Sequence, residues 1–362
     1  MTSTTVADRQ LLIIGNGFDL SCGLKSSFKD FIDWRFNHLE NKDGICKPNI
    51  WDVVFKNNSK TDANWCDIES AIAGWAGGMH SAAITMLLDK AESPKRWWFK
   101  NKYHNNQHNE EEFRFVADAI GIEGALDIAQ HYRYLIQSLR SLETSFVSYM
   151  NETLSRSDSY QNNAFSIAYN LLFGDNNDAD YSAFNVSLLN FNYTEPLSPS
   201  MLDALHIDIE RNIHGKLNSN EIIFGIDGTE LMSDPFALPF TKTYRLIQLN
   251  RPNSRCCFGR DLGLSDHMMC IKFFGHSLAT ADYSYFQAIF DAVDLYGSDT
   301  CLEFYYRTYG QKNEEQVKLE QVRNIIGLLT RYSETLDNEY RGKNLIHRLL
   351  LENRLKIIKL NI

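Results

Sequence analysis

The chain has 362 residues, of which 44% are hydrophobic and 12% aromatic, enough to bury a full core and a second subdomain. Its 36 basic and 46 acidic residues give a formal net charge of -10, which argues against a broad nucleic-acid surface. The polar N-terminal arm is followed by only four consecutive aliphatic residues, so it predicts neither a signal peptide nor a membrane span. Seven cysteines without Cys-x-x-Cys spacing favour a cytoplasmic protein with reduced thiols.

Strands and helices are predicted to alternate in the first and last parts of the chain. The aliphatic run 11–14 predicts a central parallel strand, and a helix is expected over 26–38. Further strands are predicted at 185–191, 222–224, 269–274 and 301–306, with helices at 281–296 and 314–333. Strands that alternate with helices imply parallel crossovers, and the fold class is therefore α/β, a doubly wound, mostly parallel Rossmann-like sheet.

A large helical insertion is predicted between the first and second strands, most clearly over 123–154, where apolar residues recur at three- and four-residue steps. Within it, the hydrophilic stretch 100–112 is interpreted as a loop, and its His104 and His108 as loop residues rather than metal ligands. The apolar pattern of 342–362 favours a closing helix over an oligomer contact. The predicted domains are a discontinuous sheet domain (8–38 and 183–333), the helical insertion (39–182) and a C-terminal helical segment (334–362).

Four short motifs of glycine and polar residues lie at or near predicted strand ends. They are Gly15-Asn16-Gly17-Phe18-Asp19-Leu20, Asn190-Phe191-Asn192-Tyr193-Thr194, Ile213-His214-Gly215 and Phe273-Phe274-Gly275-His276-Ser277-Leu278. Taken singly, each has a structural interpretation: Asp19, Asn192 and Asp282 as helix caps, His214 in a turn, and His276 as a hydrogen-bonded loop residue. Because the carboxyl ends of parallel strands share one edge of a sheet, the four together predict a single ligand-binding cleft.

In this order the motifs resemble the AbiH family of bacteriophage abortive-infection proteins. The resemblance rests on Ile14-Gly15-Asn16-Gly17-Phe18-Asp19-Leu20, Asn192-Tyr193-Thr194, His214-Gly215, Gly275-His276-Ser277 and Trp65-Cys66-Asp67-Ile68-Glu69. The same ordered set is similar, more distantly, to sirtuin-like domains, which implies a Rossmann-type NAD site. The structural zinc cysteines of deacetylating sirtuins are absent, so the resemblance does not extend to protein deacetylation.

The sirtuin-like resemblance implies a role for each motif. Gly15 and Gly17 would flank the NAD diphosphate, Asn192 would contact the nicotinamide ribose, His214 would be the base and Ser277 would touch the adenosine side. The other residues of the predicted cofactor site are Asn16, Asp19, Thr194, Gly275, His276 and Asp282.

The leading hypothesis is an antiphage NAD glycohydrolase that needs no metal. His214 would accept a proton from water, because histidine titrates near neutral pH, and Asn192 would orient the water or the ribose. A phage or host trigger protein and a second copy of the chain are the expected protein partners, and no membrane partner is expected.

Two other functions stay open. A nucleotide-binding sensor without turnover is suggested by Thr194, which stands where sirtuin-like sequences often have Asp. A nuclease or other hydrolase would use carboxylates such as Asp67, Glu69 and Asp227. For Asp67 and Glu69 the structural alternative is a charge at a helix N-terminus or a salt bridge.

Overall fold

The computed structural model describes residues 8–41, 45–58, 69, 72–73, 128–174, 184–219, 221–227, 237–249, 262–308, 310, 312–336 and 339–360. The chain forms two compact units. The first comprises Met1–Ser26, Thr153–Ser219 and Pro252–Ile362, and the second comprises Ser27–Glu152 and Asn220–Arg251. The predicted loop 100–112 with His104 and His108, and residues 65–68 of the Trp-Cys-Asp-Ile-Glu segment, lie outside the described residues.

The main sheet lies in the first unit. Its strands are β1 (Asp8–Ile14), β2 (Phe184–Asn190), β3 (Ile207–Asn212), β4 (Met268–Phe274), β5 (Cys301–Tyr306) and β6 (Leu355–Lys359). The helices of the described residues are α1 (Asn16–Ser21), α2 (Phe28–Asn41), α3 (Ile50–Asn58), α4 (Ile128–Ser155), α5 (Tyr160–Phe173), α6 (Pro199–Ala204), α7 (Lys242–Leu249), α8 (Tyr283–Ala292), α9 (Glu314–Ser333) and α10 (Glu339–Leu351).

All neighbouring strands of this sheet are parallel, and their order is β3-β2-β1-β4-β5-β6. The predicted α/β class with a parallel sheet is therefore confirmed, and the sheet is compatible with a Rossmann-like fold. The chain reverses its direction of travel across the sheet between β1 and β4. The carboxyl ends of β1 to β4, where the four motifs were found in the sequence, lie along one edge.

The first strand, β1, lies between β2 and β4 inside the sheet, and its side chains are buried on both faces. Leu11, Leu12, Ile13 and Ile14 are all at most 1% exposed. On one face, Leu11 and Ile13 join an apolar core that includes Phe286 of α8 and residues of α9. Burial of such aliphatic side chains contributes roughly 1.5–3 kcal/mol each, so the core fixes the register of the strands that carry the motifs.

Most predicted elements are found close to their expected positions. The helices predicted at 26–38, 123–154, 281–296 and 314–333 correspond to α2, α4, α8 and α9, although residues 123–127 lie outside the described part of the chain. The prediction of a strand at 222–224 is only partly right, because Glu221–Ile222 alone forms a two-residue strand. The predicted domain boundaries (8–38 with 183–333, 39–182 and 334–362) remain predictions.

The two edge strands of the sheet, β3 and β6, were not predicted. The closing helix expected over 342–362 is right for α10, but wrong for 355–359, which forms β6 and pairs with β5. Edge strands are half exposed, and polar residues therefore interrupt their apolar pattern. In β3 the sequence reads Ile-Asp-Ile-Glu-Arg-Asn, and in β6 it reads Leu-Lys-Ile-Ile-Lys.

The second unit contains two buried ion pairs. Arg35 donates from Nε and Nη2 to the two carboxylate oxygens of Asp52, at 2.5 and 2.9 Å. Arg245 donates from Nη1 and Nη2 to Glu143, and the Nη2 bond measures 2.7 Å. Burial raises the pKa of the Glu143 carboxyl, and the Arg245 hydrogen bonds oppose that shift.

The helices of the described residues include no candidate for a membrane span, because none combines the necessary length with a sufficiently apolar sequence.

Candidate functional site

The glycines of the first and fourth motifs hold two backbone loops in close contact. The amide N of Gly17 donates to the carbonyl O of Gly275 at 2.7 Å, and Gly15 N donates to Phe274 O at 3.2 Å. A Cβ on Gly17 would lie 2.7 Å from Gly275 Cα, and one on Gly275, whose φ is +73°, would lie 2.2 Å from Phe18 N. Glycine is therefore required by the approach of one loop to the other, before any ligand is considered.

Asp19 is a buried acid within the site and does not cap a helix. It lies inside α1, whose N-cap is Gly15, so the cap interpretation is wrong. Its Oδ1 accepts a hydrogen bond from Tyr160 OH and its Oδ2 one from Thr194 Oγ1, both at 2.8 Å. Burial raises the pKa of the Asp19 carboxyl to about 6, while the Thr194 and Tyr160 hydrogen bonds oppose the shift.

Asn192 ties the second motif to the first. Its Nδ2 donates to the carbonyl O of Gly15 at 3.0 Å, and its side chain opposes the rise in the pKa of the Asp19 carboxyl. The following helix, α6, has Ser198 as its N-cap, so the cap interpretation of Asn192 is wrong as well. Asn212 Nδ2, at the end of β3, donates to the carbonyl O of Asn192 at 2.9 Å. The ends of β1, β2 and β3 are thereby joined.

His214, His276 and Asp282 form a third group, here called the His-Asp-His cluster. His214 follows β3 and is 5% exposed, and its Nε2 lies 3.1 Å from Asp282 Oδ1. His276 follows β4, and its Nε2 lies 3.3 Å from Asp282 Oδ2. Asp282 occupies the N-cap position of α8, but its side chain makes no capping hydrogen bond. Its carboxylate instead lies between two imidazoles.

Aromatic rings fix the orientation of both histidines. The ring centroid of Phe191 lies 4.5 Å from that of His276 and 5.7 Å from that of His214, edge to face in both cases. Tyr285 and Tyr193 lie 6.1 and 6.3 Å from His214. Such packing restricts rotation of the imidazoles, so the cluster is preorganised.

The tautomer of His276 argues against a metal ion held by the His-Asp-His cluster. The backbone N–H of Leu278 donates to His276 Nδ1 at 2.9 Å, so Nδ1 carries the lone pair. The proton of the neutral ring is then on Nε2, the nitrogen that faces Asp282. A protonated nitrogen has no lone pair for a metal, and metal ligands usually show the opposite arrangement, with the second nitrogen donating.

The remaining predicted residues have varied positions. Asn16 Oδ1 accepts a hydrogen bond from Ser26 Oγ at 2.6 Å, and Ser277 is exposed. In the second unit, Glu69 Oε1 lies 2.6 Å from Lys242 Nζ, as the salt-bridge interpretation of Glu69 expects. Asp227 belongs to the second unit, and Asp67 lies outside the described residues.

Tyr160, Asn190 and Asn212 belong to the site but were not singled out for it. Tyr160 lies 141 residues from Asp19 in sequence, and no local pattern signals that contact. For the two asparagines a signal existed, because β2 and β3 both end in Asn. Asn190 Nδ2 donates to Thr194 O at 2.8 Å, as Asn212 Nδ2 does at 2.9 Å. Both side chains therefore shape the loop after β2.

The fold and the site together define an α/β protein with an all-parallel sheet whose polar motifs converge at the carboxyl ends of β1 to β4. The chain belongs to the AbiH family: it matches the family described as Bacteriophage abortive infection AbiH over residues 11–304. That range contains every predicted site residue, and it confirms the resemblance to AbiH seen in the motifs. No curated protein and no solved structure matches the chain significantly.

Proposed function

We propose that this AbiH protein acts in antiphage defence by hydrolysing NAD to nicotinamide and ADP-ribose in the cytoplasm. The observation that carries the proposal is the buried His214 imidazole, which follows β3 and lies 3.1 Å from a carboxylate oxygen of Asp282. An imidazole beside a carboxylate is an arrangement suited to accepting a proton. Asn192, from the neighbouring strand end, completes the catalytic pair.

The strand order supports a dinucleotide as the ligand. The order β3-β2-β1-β4-β5-β6 is that of doubly wound dinucleotide-binding sheets, in which ligands bind outside the carboxyl ends where the strand order reverses. Here that point lies between β1 and β4, where Gly15 and Gly17 contact Gly275. In the proposal, the diphosphate of NAD lies along these glycines, as in the sirtuin-like arrangement.

The proposed reaction breaks the bond between the ribosyl C1′ and the nicotinamide nitrogen. Nicotinamide leaves with the bonding electron pair, so positive charge develops on the ribosyl carbon. The oxygen of a water molecule bonds to that carbon, and the water's proton passes to His214. Since Asn192 Nδ2 donates to Gly15 O, Asn192 acts through its Oδ1 by accepting a hydrogen bond from the water or the ribose.

Nicotinamide release by the purified protein tests the proposal. His214→Ala and Asn192→Ala are each expected to lower the rate by about 10²-fold or more. His267→Ala is the matched control, because this histidine is exposed and lies outside the site. Circular dichroism verifies that each variant is folded. Turnover by His214→Ala at the wild-type rate would show that the assignment of the base is wrong.

A nucleotide sensor without turnover is the second candidate. The observation that favours it is the engagement of Thr194 and Asn192 in hydrogen bonds within the protein, with Asp19 and with Gly15 O. Calorimetric NAD binding without nicotinamide release, together with toxicity that survives His214→Ala, would select this function. If NAD cleavage is the activity, we expect a phage or host protein to supply the trigger, because unrestrained NAD loss would kill the host.

A further inference from the structure

The hydrogen bonding of His276 fixes where its proton lies. Leu278 N–H donates to Nδ1, so the neutral ring is protonated on Nε2, which lies 3.3 Å from Asp282 Oδ2. His276 therefore presents an N–H to the carboxylate. Phe191 and Phe286 pack edge to face on the ring, at 4.5 and 5.0 Å between centroids, and keep it in this orientation.

The carboxylate held in this way has a second oxygen. Asp282 Oδ1 lies 3.1 Å from His214 Nε2, and the Asp282 side chain is only 12% exposed. A carboxylate withdrawn from water requires donors or positive charge nearby. The neutral His276 ring turns its Nε2–H toward this carboxylate, whereas His214 supplies full positive charge only when it has taken up a proton.

We propose that Asp282 is the positioning residue of the catalytic base: it orients the His214 imidazole and stabilises the imidazolium formed during the reaction, while His276 anchors its carboxylate. This inference rests on the proposed function and assigns it two further residues. When the water's proton passes to His214, Asp282 stays ionised and offsets the new charge. Asp282 touches neither NAD nor the water in this scheme.

Within the part of the chain that the structure describes, four ionisable side chains lie around His214. Asp282 lies on the segment that leads into α8, Tyr285 on α8 itself and Tyr193 on the loop after β2, while His276 reaches His214 through Asp282. Among them Asp282 is the one that carries a negative charge near neutral pH. Removal of the Asp282 carboxylate should therefore change the pH dependence of turnover more than removal of either tyrosine hydroxyl.

The pH dependence of kcat distinguishes positioning from a merely structural role. Asp282→Asn removes the negative charge, so His214 loses its proton at a lower pH. The acid limb of the profile should then move to lower pH by about one unit or more, with kcat at pH 8 reduced by about 10²-fold. Asp266→Asn is the matched control, since it removes a carboxylate 3.7 Å from an exposed histidine, His267. An equal loss of kcat at every pH in Asp282→Asn would overturn the proposal.

Two substitutions of His276 separate its N–H from its ring packing. His276→Gln keeps a donor near the position of Nε2, and it should retain most of the turnover and the wild-type acid limb. His276→Phe keeps a ring against Phe191 but has no donor, and it should behave like Asp282→Asn. If the Phe variant matched wild type, the anchoring role of His276 would be refuted.

A measurement on the wild-type protein is independent of NAD turnover. In protein labelled with ¹⁵N-histidine, long-range ¹H–¹⁵N spectra at about pH 8 should show His276 as the Nε2–H tautomer, assigned by its loss in His276→Gln. A proton on Nδ1 of His276 would overturn the inference even if NAD is cleaved. Absence of nicotinamide release in infected cells, where the trigger is present, alongside the expected tautomer would refute the proposed function, and with it the role of Asp282 in turnover, but not the anchoring of its carboxylate.

Discussion

Substitution of Asp19 by asparagine should change the pH dependence of stability in a predictable direction. The carboxyl is 1% exposed, and burial raises its pKa from the usual 3.8 to about 6. A group whose pKa is raised by folding binds its proton more tightly in the folded state. Its contribution to stability is therefore complete below pH 3.8 and is lost as the pH rises through about 6.

The size of the effect follows from the shift. About two pKa units correspond to roughly 3 kcal/mol in total, of which about 2 kcal/mol is lost between about pH 4.5 and about pH 7.5. Asp19→Asn lacks this titration, and its amide can still hydrogen-bond with the hydroxyls of Tyr160 and Thr194. Relative to wild type, the variant should gain about 2 kcal/mol of stability over that range.

Urea unfolding followed by circular dichroism at several pH values measures this difference. Asp203→Asn, which removes an exposed carboxylate of the same unit, is the matched control. Comparison with a control removes the contributions of all other titrating groups. Parallel stability curves for wild type and Asp19→Asn from about pH 4.5 to about pH 7.5 would refute the account of a buried, desolvated Asp19.

Three further substitutions test other contacts by urea unfolding. Tyr160→Phe removes a hydroxyl that donates to the buried Asp19 carboxylate, so it should lower the free energy of unfolding by about 1–3 kcal/mol at pH 7.5 and by less at pH 4.5. An equal decrease at both pH values would contradict a hydrogen bond that depends on the charge of Asp19. Gly275→Ala should lower the free energy of unfolding by more than about 2 kcal/mol. The control Gly310→Ala, also at positive φ but with open space around it, should lower it by about 1 kcal/mol, and similar decreases for both would refute the tight loop contact. Glu143→Leu should lower the free energy of unfolding by about 3–5 kcal/mol, because it leaves the Arg245 charge buried without its partner, and the double variant with Arg245→Met should regain much of this stability. No recovery in the double variant would argue against a buried ion pair.

The parts of the fold that could be predicted are those in which burial alone determines the pattern. β1 and β4 are enclosed on both faces, and their near-continuous apolar sequences identify them without further context. The edge strands β3 and β6 depend on pairing along one side only, so their short, mixed sequences resemble a loop and a helix end. Their assignment needs the neighbouring strand, which no local window of sequence contains.

For the site, the sequence predicted which strand ends converge but not what each side chain does there. Asp19, Asn192 and Asp282 were open to interpretation as helix caps, because a polar residue before a helix has the same local pattern in either role. Their true partners are Tyr160, Gly15 O and the two imidazoles of the His-Asp-His cluster. These contacts join segments that are distant along the chain, so only the folded structure displays them.

The most direct test of NAD hydrolysis as the defence activity is made in infected cells, where any trigger is present. Bacteria that express wild-type protein or His214→Ala are infected with a phage that the wild type restricts, and NAD, nicotinamide and ADP-ribose are measured through the infection. The proposal predicts that NAD falls while nicotinamide and ADP-ribose appear in equal amounts in wild-type cells only. Protection of the culture by the wild type while NAD stays constant would contradict it.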